Sequence, residues 1–151
     1  MEFTVIKAKK ADLPAVVGLA IKHLQSEGKA EPRNRLRKKA EEIRKIKKNF
    51  GLRSRAWFLV YVDGKPIGLG QAEIIDPRVG LKRGKISFAY VEPKFRRRGV
   101  GTALTQARLE WLKKKKINLV ETAIRPSNMA SHANLNKYKL KPWLNIYTFK
   151  I

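Results

Sequence analysis

The chain has 151 residues, a length suited to one ordinary domain with its own core. Its 35 lysines and arginines against 12 acidic residues give a formal net charge of +23, which favours anionic partners and repels polycations. The 43% hydrophobic content excludes wholesale disorder, and the absence of cysteine excludes disulfides, thiolate metal sites and a cysteinyl-enzyme intermediate.

The chain begins with a predicted strand and an amphipathic helix. Residues 3–7 are rich in β-forming side chains. Asp12 then suits a helix N-cap, Pro14 suits the first turn, and apolar residues recur at helical spacing over residues 13–24. His23 lies on this helix with no cysteine or second histidine nearby. We therefore interpret it as a surface residue rather than a metal ligand, and we expect no metal site.

A second helix and a β-hairpin follow. Residues 31–50 carry one apolar stripe, and their other faces are mostly lysine and arginine, which suits RNA, an acidic partner or simple exposure to solvent. Two β-rich runs, residues 56–62 and 67–75, flank Asp63 and Gly64. The Asp-Gly pair between such runs indicates a hairpin turn.

The most informative stretch joins a strand to a helix through a basic, glycine-containing turn. A strand-like run over residues 85–91 is followed by three arginines at residues 96–98, and then by Gly99 and Gly101. An amphipathic helix pattern begins at Val100. The first N–H groups of a helix lack intrahelical partners and carry the positive end of its dipole, and glycine lets a ligand approach the backbone. The stretch therefore predicts a site for a diphosphate.

The remaining pattern completes an alternating α/β (α+β) layout. Residues 118–124 predict a strand, residues 128–138 a helical segment, and residues 143–151 a last strand. The predicted order is βααβββαβαβ, with no linker, repeat or low-complexity segment. We therefore expect one domain spanning residues 1–151.

Neither of two common phosphate-binding motifs fits this turn. A P-loop would need Gly-x-x-x-x-Gly-Lys-Ser/Thr, and a dinucleotide fingerprint would need a glycine where Leu104 stands. The pattern present is Arg-x-x-Gly-x-Gly, formed by Arg96, Gly99 and Gly101. Preceded by a strand ending Tyr-Val-Glu-Pro and followed by a helix, it resembles the coenzyme A loop of the GNAT superfamily of N-acetyltransferases. The element order is similar to that family over nearly the whole chain.

The resemblance implies a fold and a cofactor. It implies a mixed central sheet of about six strands with helices on both faces, in which two parallel strands splay apart and receive the pantetheine arm of acetyl-CoA. Acetyl-CoA would serve as the acyl donor. The residues that the resemblance assigns to cofactor binding are Ala89, Tyr90, Val91, Arg96, Arg97, Arg98, Gly99, Val100, Gly101, Thr102 and Asn128.

The chain departs from the family pattern at the residues that move protons. The resemblance leads us to expect a tyrosine near position 135 and a carboxylate near position 123, but the chain has Leu135 and Ala123 there. Glu121 lies on the same strand face as Ala123, Glu73 lies on the hairpin, and Tyr138 follows Leu135 by about one helical turn. Glu121, Glu73 and Tyr138 are therefore the catalytic candidates, and Tyr90 and His132 are further titratable side chains near the same elements.

Three functions remain open at this stage. The first is acetyl transfer from acetyl-CoA directly to an amine of a protein, peptide or small acceptor that is not polycationic. The second is a coenzyme A-binding or RNA- or ribosome-associated module with little or no turnover. The third is nucleic-acid binding alone, with the arginine turn holding backbone phosphate. No apolar run approaches 18 residues and no signal pattern is visible, so we expect no membrane partner and a cytoplasmic location. The oligomeric state, monomer or homodimer, stays open.

Overall fold

The computed structural model describes residues 1–30, 39–75 and 82–142. The strands are β1 (Thr4–Lys7), β2 (Arg55–Val62), β3 (Lys65–Ile75), β4 (Arg83–Val91) and β5 (Leu119–Glu121). The helices are α1 (Leu13–Ala30), α2 (Lys39–Asn49), α3 (Val100–Lys114) and α4 (Met129–Leu135), with short 3-10 segments before α1, before α3 and after α4. The predicted strand over residues 143–151 and the start of the predicted second helix lie outside the described residues.

The strands form one mixed sheet. Within the described residues it has five strands in the order β1-β2-β3-β4-β5. Neighbours are antiparallel except β4 and β5, which are parallel and joined by α3. A parallel pair needs such a crossover because the chain must return to the same end of the sheet. The predicted mixed sheet is confirmed, and the expected sixth strand falls outside the described residues.

Helices cover both faces of this sheet, as β2 demonstrates. Phe58 and Val60 join the core cluster under α3, whereas Trp57 and Leu59 join the cluster under α1 and α2. All four side chains are at most 5% exposed. A strand that is buried on both faces has an almost continuous apolar sequence, which explains the run from Ala56 to Val62.

The helices are amphipathic. α1 buries Val16, Leu19 and Ala20 against the sheet, while Gly18 and Lys22 are exposed. Within residues 1–30, 39–75 and 82–142, no helix is both long and apolar enough to cross a membrane.

The predicted hairpin is confirmed. Asp63 and Gly64 have φ angles of 48° and 70°, and both lie in the left-handed region that a type I′ turn requires. The turn pairs Val62 with Lys65 and sets the register of β2 on β3.

Gly84 marks a close approach of β4 to the end of α3. A Cβ atom at this position would lie 2.8 Å from both Cδ atoms of Leu112 and 3.1 Å from Cγ2 of Ile117. Leu112 is fully buried, so it has little room to move away. We expect Gly84→Ala to lower the free energy of unfolding by about 1–3 kcal/mol, measured by urea denaturation.

Gly18→Ala is the matched control for this substitution. Gly18 is an exposed position inside α1, and a Cβ atom there would meet nothing within 4 Å. The same change should therefore raise the free energy of unfolding by about 0.5–1 kcal/mol, because alanine favours a helix. Equal effects of the two substitutions would contradict the close contact at Gly84.

Candidate active site

The parallel pair β4–β5 is short and leaves part of β4 without a neighbour. Its register covers three residue pairs, the last of which is Lys85 opposite Glu121. One contact follows, in which Thr122 Oγ1 donates to the Ile86 carbonyl at 3.1 Å. Among the described residues, none extends the ladder on this side of β4 over residues 87–91. We call the opening between residues 87–91 and residues 122–125 the gap.

β4 carries a bulge beside the gap. Phe88 and Ala89 together face the single residue Gly70 of β3. Phe88 has a φ of 51°, a left-handed conformation that bulky residues rarely adopt and that its surroundings must hold in place. Its ring lies 5.2 Å from that of Trp57, between centroids, while Ala89 is exposed. The bulge therefore re-aims the backbone of β4 at the level of the gap.

The turn before α3 presents a row of backbone donors. Arg97 and Gly99 have φ angles of 61° and 78°, which turn the chain sharply before α3 begins at Val100. The N–H group of Ala103 bonds to the Gly99 carbonyl at 3.0 Å. In the part of the chain that the structure describes, nothing accepts a hydrogen bond from the N–H groups of residues 97–102. We call this segment the cradle, because unpaired N–H groups at a helix N-terminus favour an anion.

The three arginines of this turn are exposed and lie in different settings. Arg96 Nε donates to the Val91 carbonyl at 2.9 Å and so closes the turn onto the end of β4. Arg97 and Arg98 are exposed, and Arg98 makes one long contact of 3.9 Å to the sulfur of Met1. Fixed positive charge therefore surrounds the cradle.

A polar cluster fastens the cradle to α4. Asn134 Nδ2 donates to the Thr105 hydroxyl at 2.9 Å and to the Gly101 carbonyl at 3.3 Å. Thr102 Oγ1 donates to Asn134 Oδ1 at 3.0 Å. Asn134 was not predicted as a site residue, because one asparagine inside a helix has no sequence signal of its own.

The Asn128 side chain caps α4. Its Oδ1 accepts a hydrogen bond from the Ser131 N–H at 3.1 Å, and the amide group is exposed beyond the end of β5. Among the described residues, no acceptor faces the amide Nδ2 of Asn128. This nitrogen is thus available to a ligand.

The two candidate carboxylates lie towards the start of β4 rather than at the cradle. Glu121 and Glu73 both neighbour Lys85 in the sheet register. Glu121 pairs with Arg83 at 3.1 Å, and Glu73 pairs with Arg55 at 3.7 Å. With a rise of about 3.3 Å per residue, Lys85 is about 10 Å from the bulge and about 20 Å from the end of β4. The structure does not bring these carboxylates together with the cradle.

Tyr138 and Leu135 occupy different environments. Leu135 is 7% exposed and belongs to the core cluster under α3, whereas Tyr138 is 42% exposed in the 3-10 segment after α4. The Lys137 ammonium lies 5.2 Å from the Tyr138 ring centroid. His132, on α4, contacts the Arg125 carbonyl through Nε2 at 3.1 Å. Neither Tyr138 nor His132 has a described contact with the cradle.

α1 forms a wall beside the bulge that the sequence did not indicate. The ring centroid of His23 lies 5.2 Å from that of Phe88 and 6.3 Å from that of Tyr90. His23 therefore packs against the bulge, whereas the sequence predicted a simple surface residue. Lys22 Nζ donates a hydrogen bond to Glu92 Oε1, and this contact raises the pKa of Lys22.

An open groove runs between this wall and the end of β4 with the turn that follows it. Its volume is about 230 Å³. The lining residues are Lys22, Gln25, Ser26, Tyr90, Pro93 and Arg96. On the same helix, Glu27 pairs with Arg125 across the end of the gap.

This combination of gap, cradle and α4 lies within a segment that matches a known protein family. A family model described as Acetyltransferase (GNAT) family matches residues 19–138. The chain belongs to this family. The matched segment includes α1 from Leu19 onwards, the gap, the cradle and α4. No curated protein matches the chain in sequence.

Solved structures share this GNAT fold. A predicted acetyltransferase from Clostridium acetobutylicum, solved with acetyl-CoA, is 19% identical with a TM-score of 0.77, covering 97% of this chain and 96% of that one. An apo aminoglycoside antibiotic 6′-N-acetyltransferase from Acinetobacter haemolyticus is 20% identical with a TM-score of 0.71, covering 98% and 97%. A GCN5-related N-acetyltransferase from Ralstonia eutropha is 16% identical with a TM-score of 0.72, covering 99% of each chain. At these identities the likeness shows the fold alone.

The cradle predicts the effect of a side chain at Gly101. A Cβ atom there would meet nothing within 4 Å, so a longer side chain fits without a clash inside the protein. The carboxylate of Gly101→Glu would occupy the anion position and repel a diphosphate. We expect this variant to lose measurable coenzyme A binding in calorimetry while it keeps its unfolding midpoint within a few degrees.

Gly18→Glu is the control, since it makes the same substitution at an exposed helical glycine with open space around it. It should bind coenzyme A as the native protein does. Retained coenzyme A affinity in Gly101→Glu would contradict the cradle assignment.

Proposed function

We propose that this protein transfers the acetyl group of acetyl-CoA directly to an amine. The observation that carries the proposal is the row of unpaired N–H groups in the cradle beside the open edge of β4, in a chain of the acetyltransferase (GNAT) family. A fold neighbour solved with acetyl-CoA supports the choice of donor. We propose that residues 1–151 form a single domain for this reaction.

The cofactor would bind through backbone groups along two adjoining elements. The diphosphate would accept hydrogen bonds from the N–H groups of residues 97–102, with Arg96, Arg97 and Arg98 adding positive charge. The pantetheine arm would lie in the gap and pair with the open backbone of Ala89, Tyr90 and Val91. The amide of Asn128 would reach the arm from the far side of the gap.

The transfer itself needs two proton movements. The acceptor amine must lose its proton before its nitrogen attacks the thioester carbonyl carbon, since a lysine amine has a pKa of about 10.4 and an α-amine of about 8. When the C–S bond breaks, its electron pair stays on sulfur. Glu121 and Glu73 are the proposed bases, acting through water because of their distance from the bulge, and Tyr138 is the proposed acid. Without cysteine, no acyl-cysteine intermediate can form.

The surface charge favours an acceptor that is not polycationic. A net charge of +23 raises the local concentration of anions and repels polyamines and lysine-rich peptides. Aminoglycosides, the substrates named for one fold neighbour, are polycations and are disfavoured here for the same reason. We propose an amine on an acidic peptide or an amine linked to a nucleotide.

The acceptor proposal is tested by the release of coenzyme A thiol from acetyl-CoA. We expect kcat/KM for an acidic peptide with a free α-amine to exceed that for a lysine-rich peptide of equal length by about tenfold or more at low salt. The ratio should fall as salt increases, because salt screens the field. An equal kcat/KM for the two peptides would contradict the acceptor class.

The same assay separates the two candidate bases. We test Glu121→Gln and Glu73→Gln separately. The variant that lacks the carboxylate that accepts the proton should have a kcat about a hundredfold lower. Thermal stabilisation by coenzyme A without thiol release for any amine would instead favour the second candidate, a coenzyme A-binding module without turnover.

We further propose that the end of the sheet opposite the cradle contacts RNA. α3 spans about 22 Å between the cradle and its C-terminal end, so the basic run at residues 113–116 lies far from the cradle. All four lysines of this run are exposed, and the exposed Arg53 and Lys82 lie near the same end of the sheet. Glu73 and Glu121 at this end already pair with Arg55 and Arg83, so they do not neutralise these other exposed basic side chains.

Replacing Lys113, Lys114 and Lys116 together by glutamine tests the RNA contact. Lys115 is kept because its ammonium lies 6.0 Å from the Trp111 ring centroid. We expect weaker binding of a short RNA duplex and a salt slope reduced by roughly 2 to 3, with acetyl-CoA binding unchanged. Glutamine at Lys39, Arg44 and Lys47 of α2, which are also exposed, is the equal-charge control. An equal loss from both triple variants would mean that net charge alone attracts RNA.

A further inference from the structure

Arg108 is buried, and no acidic side chain among residues 1–30, 39–75 and 82–142 pairs with it. Its side chain is 2% exposed, and burial lowers its pKa to about 10, so it still carries a charge near neutral pH. Within the described residues, its three hydrogen bonds all go to neutral oxygens. Nε donates to the Leu104 carbonyl at 3.2 Å, Nη1 to the Ser87 carbonyl at 3.2 Å and Nη2 to the Thr105 hydroxyl at 3.0 Å.

The surrounding fold makes room for this cation. A Cβ atom at Gly70 would lie 3.0 Å from Cδ and 3.1 Å from Nε of Arg108. The absence of a side chain at Gly70 therefore opens the space through which the arginine passes. A buried charge without a counter-ion is costly, whereas leucine or methionine would fill a core position of α3 without that cost.

Arg108 holds the peptide that precedes the bulge. The Ser87 carbonyl bonds to Arg108, and the Ser87 hydroxyl donates to Oε1 of the buried Gln71 at 2.9 Å. These two contacts fix Ser87 immediately before Phe88, whose positive φ starts the bulge. The guanidinium is therefore anchored beside the segment of β4 that borders the gap.

The same cation is linked to the cradle. The Thr105 hydroxyl, which accepts from Arg108, also accepts from Asn134, and Asn134 bonds to Gly101 and Thr102. One connected set of hydrogen bonds thus reaches both the diphosphate position and the bulge. None of its members other than Arg108 is titratable, and desolvation is the cause of the lowered pKa of Arg108.

We propose that Arg108 is a positioning residue whose buried charge also stabilises the coenzyme A thiolate in the gap. The inference rests on the proposed function, since the arm must run from the cradle along residues 89–91 towards the bulge. As the amine nitrogen bonds to the acetyl carbon, the C–S bond breaks and sulfur keeps the electron pair. The buried positive charge favours that thiolate electrostatically, so the C–S bond can break before Tyr138, the proposed acid, protonates the sulfur. This accounts for leucine at position 135, where the family resemblance implies a tyrosine.

The test is a spectroscopic titration of the thiol of bound coenzyme A, which needs no acceptor. Thiolate absorbance is followed against pH for coenzyme A in buffer and bound to the protein, with desulfo-coenzyme A as the blank. In the native protein we expect the thiol pKa to be lowered by about one unit or more. In Arg108→Gln, which can still donate one hydrogen bond but has no charge, the thiol pKa should return close to its value in buffer. Arg108→Lys, which restores a cation, should lower it again.

Two controls separate charge from stability. Arg53→Gln removes one exposed charge far from the cradle and should leave the thiol pKa unchanged. Leu112→Ala removes a fully buried side chain one turn further along α3, and it should lower the unfolding midpoint without changing the thiol pKa.

The outcomes distinguish this inference from the proposed function. If the native protein does not bind coenzyme A, the proposed function fails. If it binds coenzyme A with an unshifted thiol pKa, or if Arg108→Gln keeps the full shift, the role of Arg108 fails and the proposed function stands. The measurement on the native protein overturns or supports the inference even if a variant does not fold.

Discussion

The separation of β4 from β5 is the constraint on which the site depends. A parallel pair inside a sheet normally continues its ladder, because unpaired backbone groups away from water cost free energy. Among the described residues, the pairing stops at Lys85 and Glu121, and the edge of β4 that follows has no strand partner. The bulge at Phe88 and Ala89 lies at this level, and the cradle follows the end of the strand. Strand edge, bulge and helix N-terminus thus follow one another within residues 87–102.

Cations act at two different depths around this segment. Arg97 and Arg98 of the cradle are exposed to solvent, where salt screens them, so they attract anions without fixing a geometry. Arg108 is buried, and its guanidinium is held by three neutral oxygens in one orientation. A charge in such a place acts with little screening and without reorganisation, which is the physical requirement for stabilising a charge that develops during a reaction.

The elements whose signals are local could be predicted. The Asp63–Gly64 turn needs only residues that tolerate positive φ, and β2 needs only its apolar run. The cradle also has a local signal, since arginine, two glycines and a helix start are adjacent in sequence. The acid and base had no comparable signal. Glu121 shares a strand face with Ala123, and Glu73 lies on the hairpin, but the arginines that pair with these carboxylates come from other strands.

The sequence by itself therefore determined the family fold and the helix N-terminus that presents the cradle, because both follow from residues close together along the chain. Its composition alone excluded cysteine chemistry. Only the tertiary structure decided where β4 leaves β5, that His23 contacts the aromatic rings at the bulge, and that Arg108 and Asn134 join the bulge to the cradle. These features depend on side chains from β3, β4, α3 and α4 meeting in space. Arg108 looks like one more basic residue of a basic helix until packing against Gly70 removes it from water.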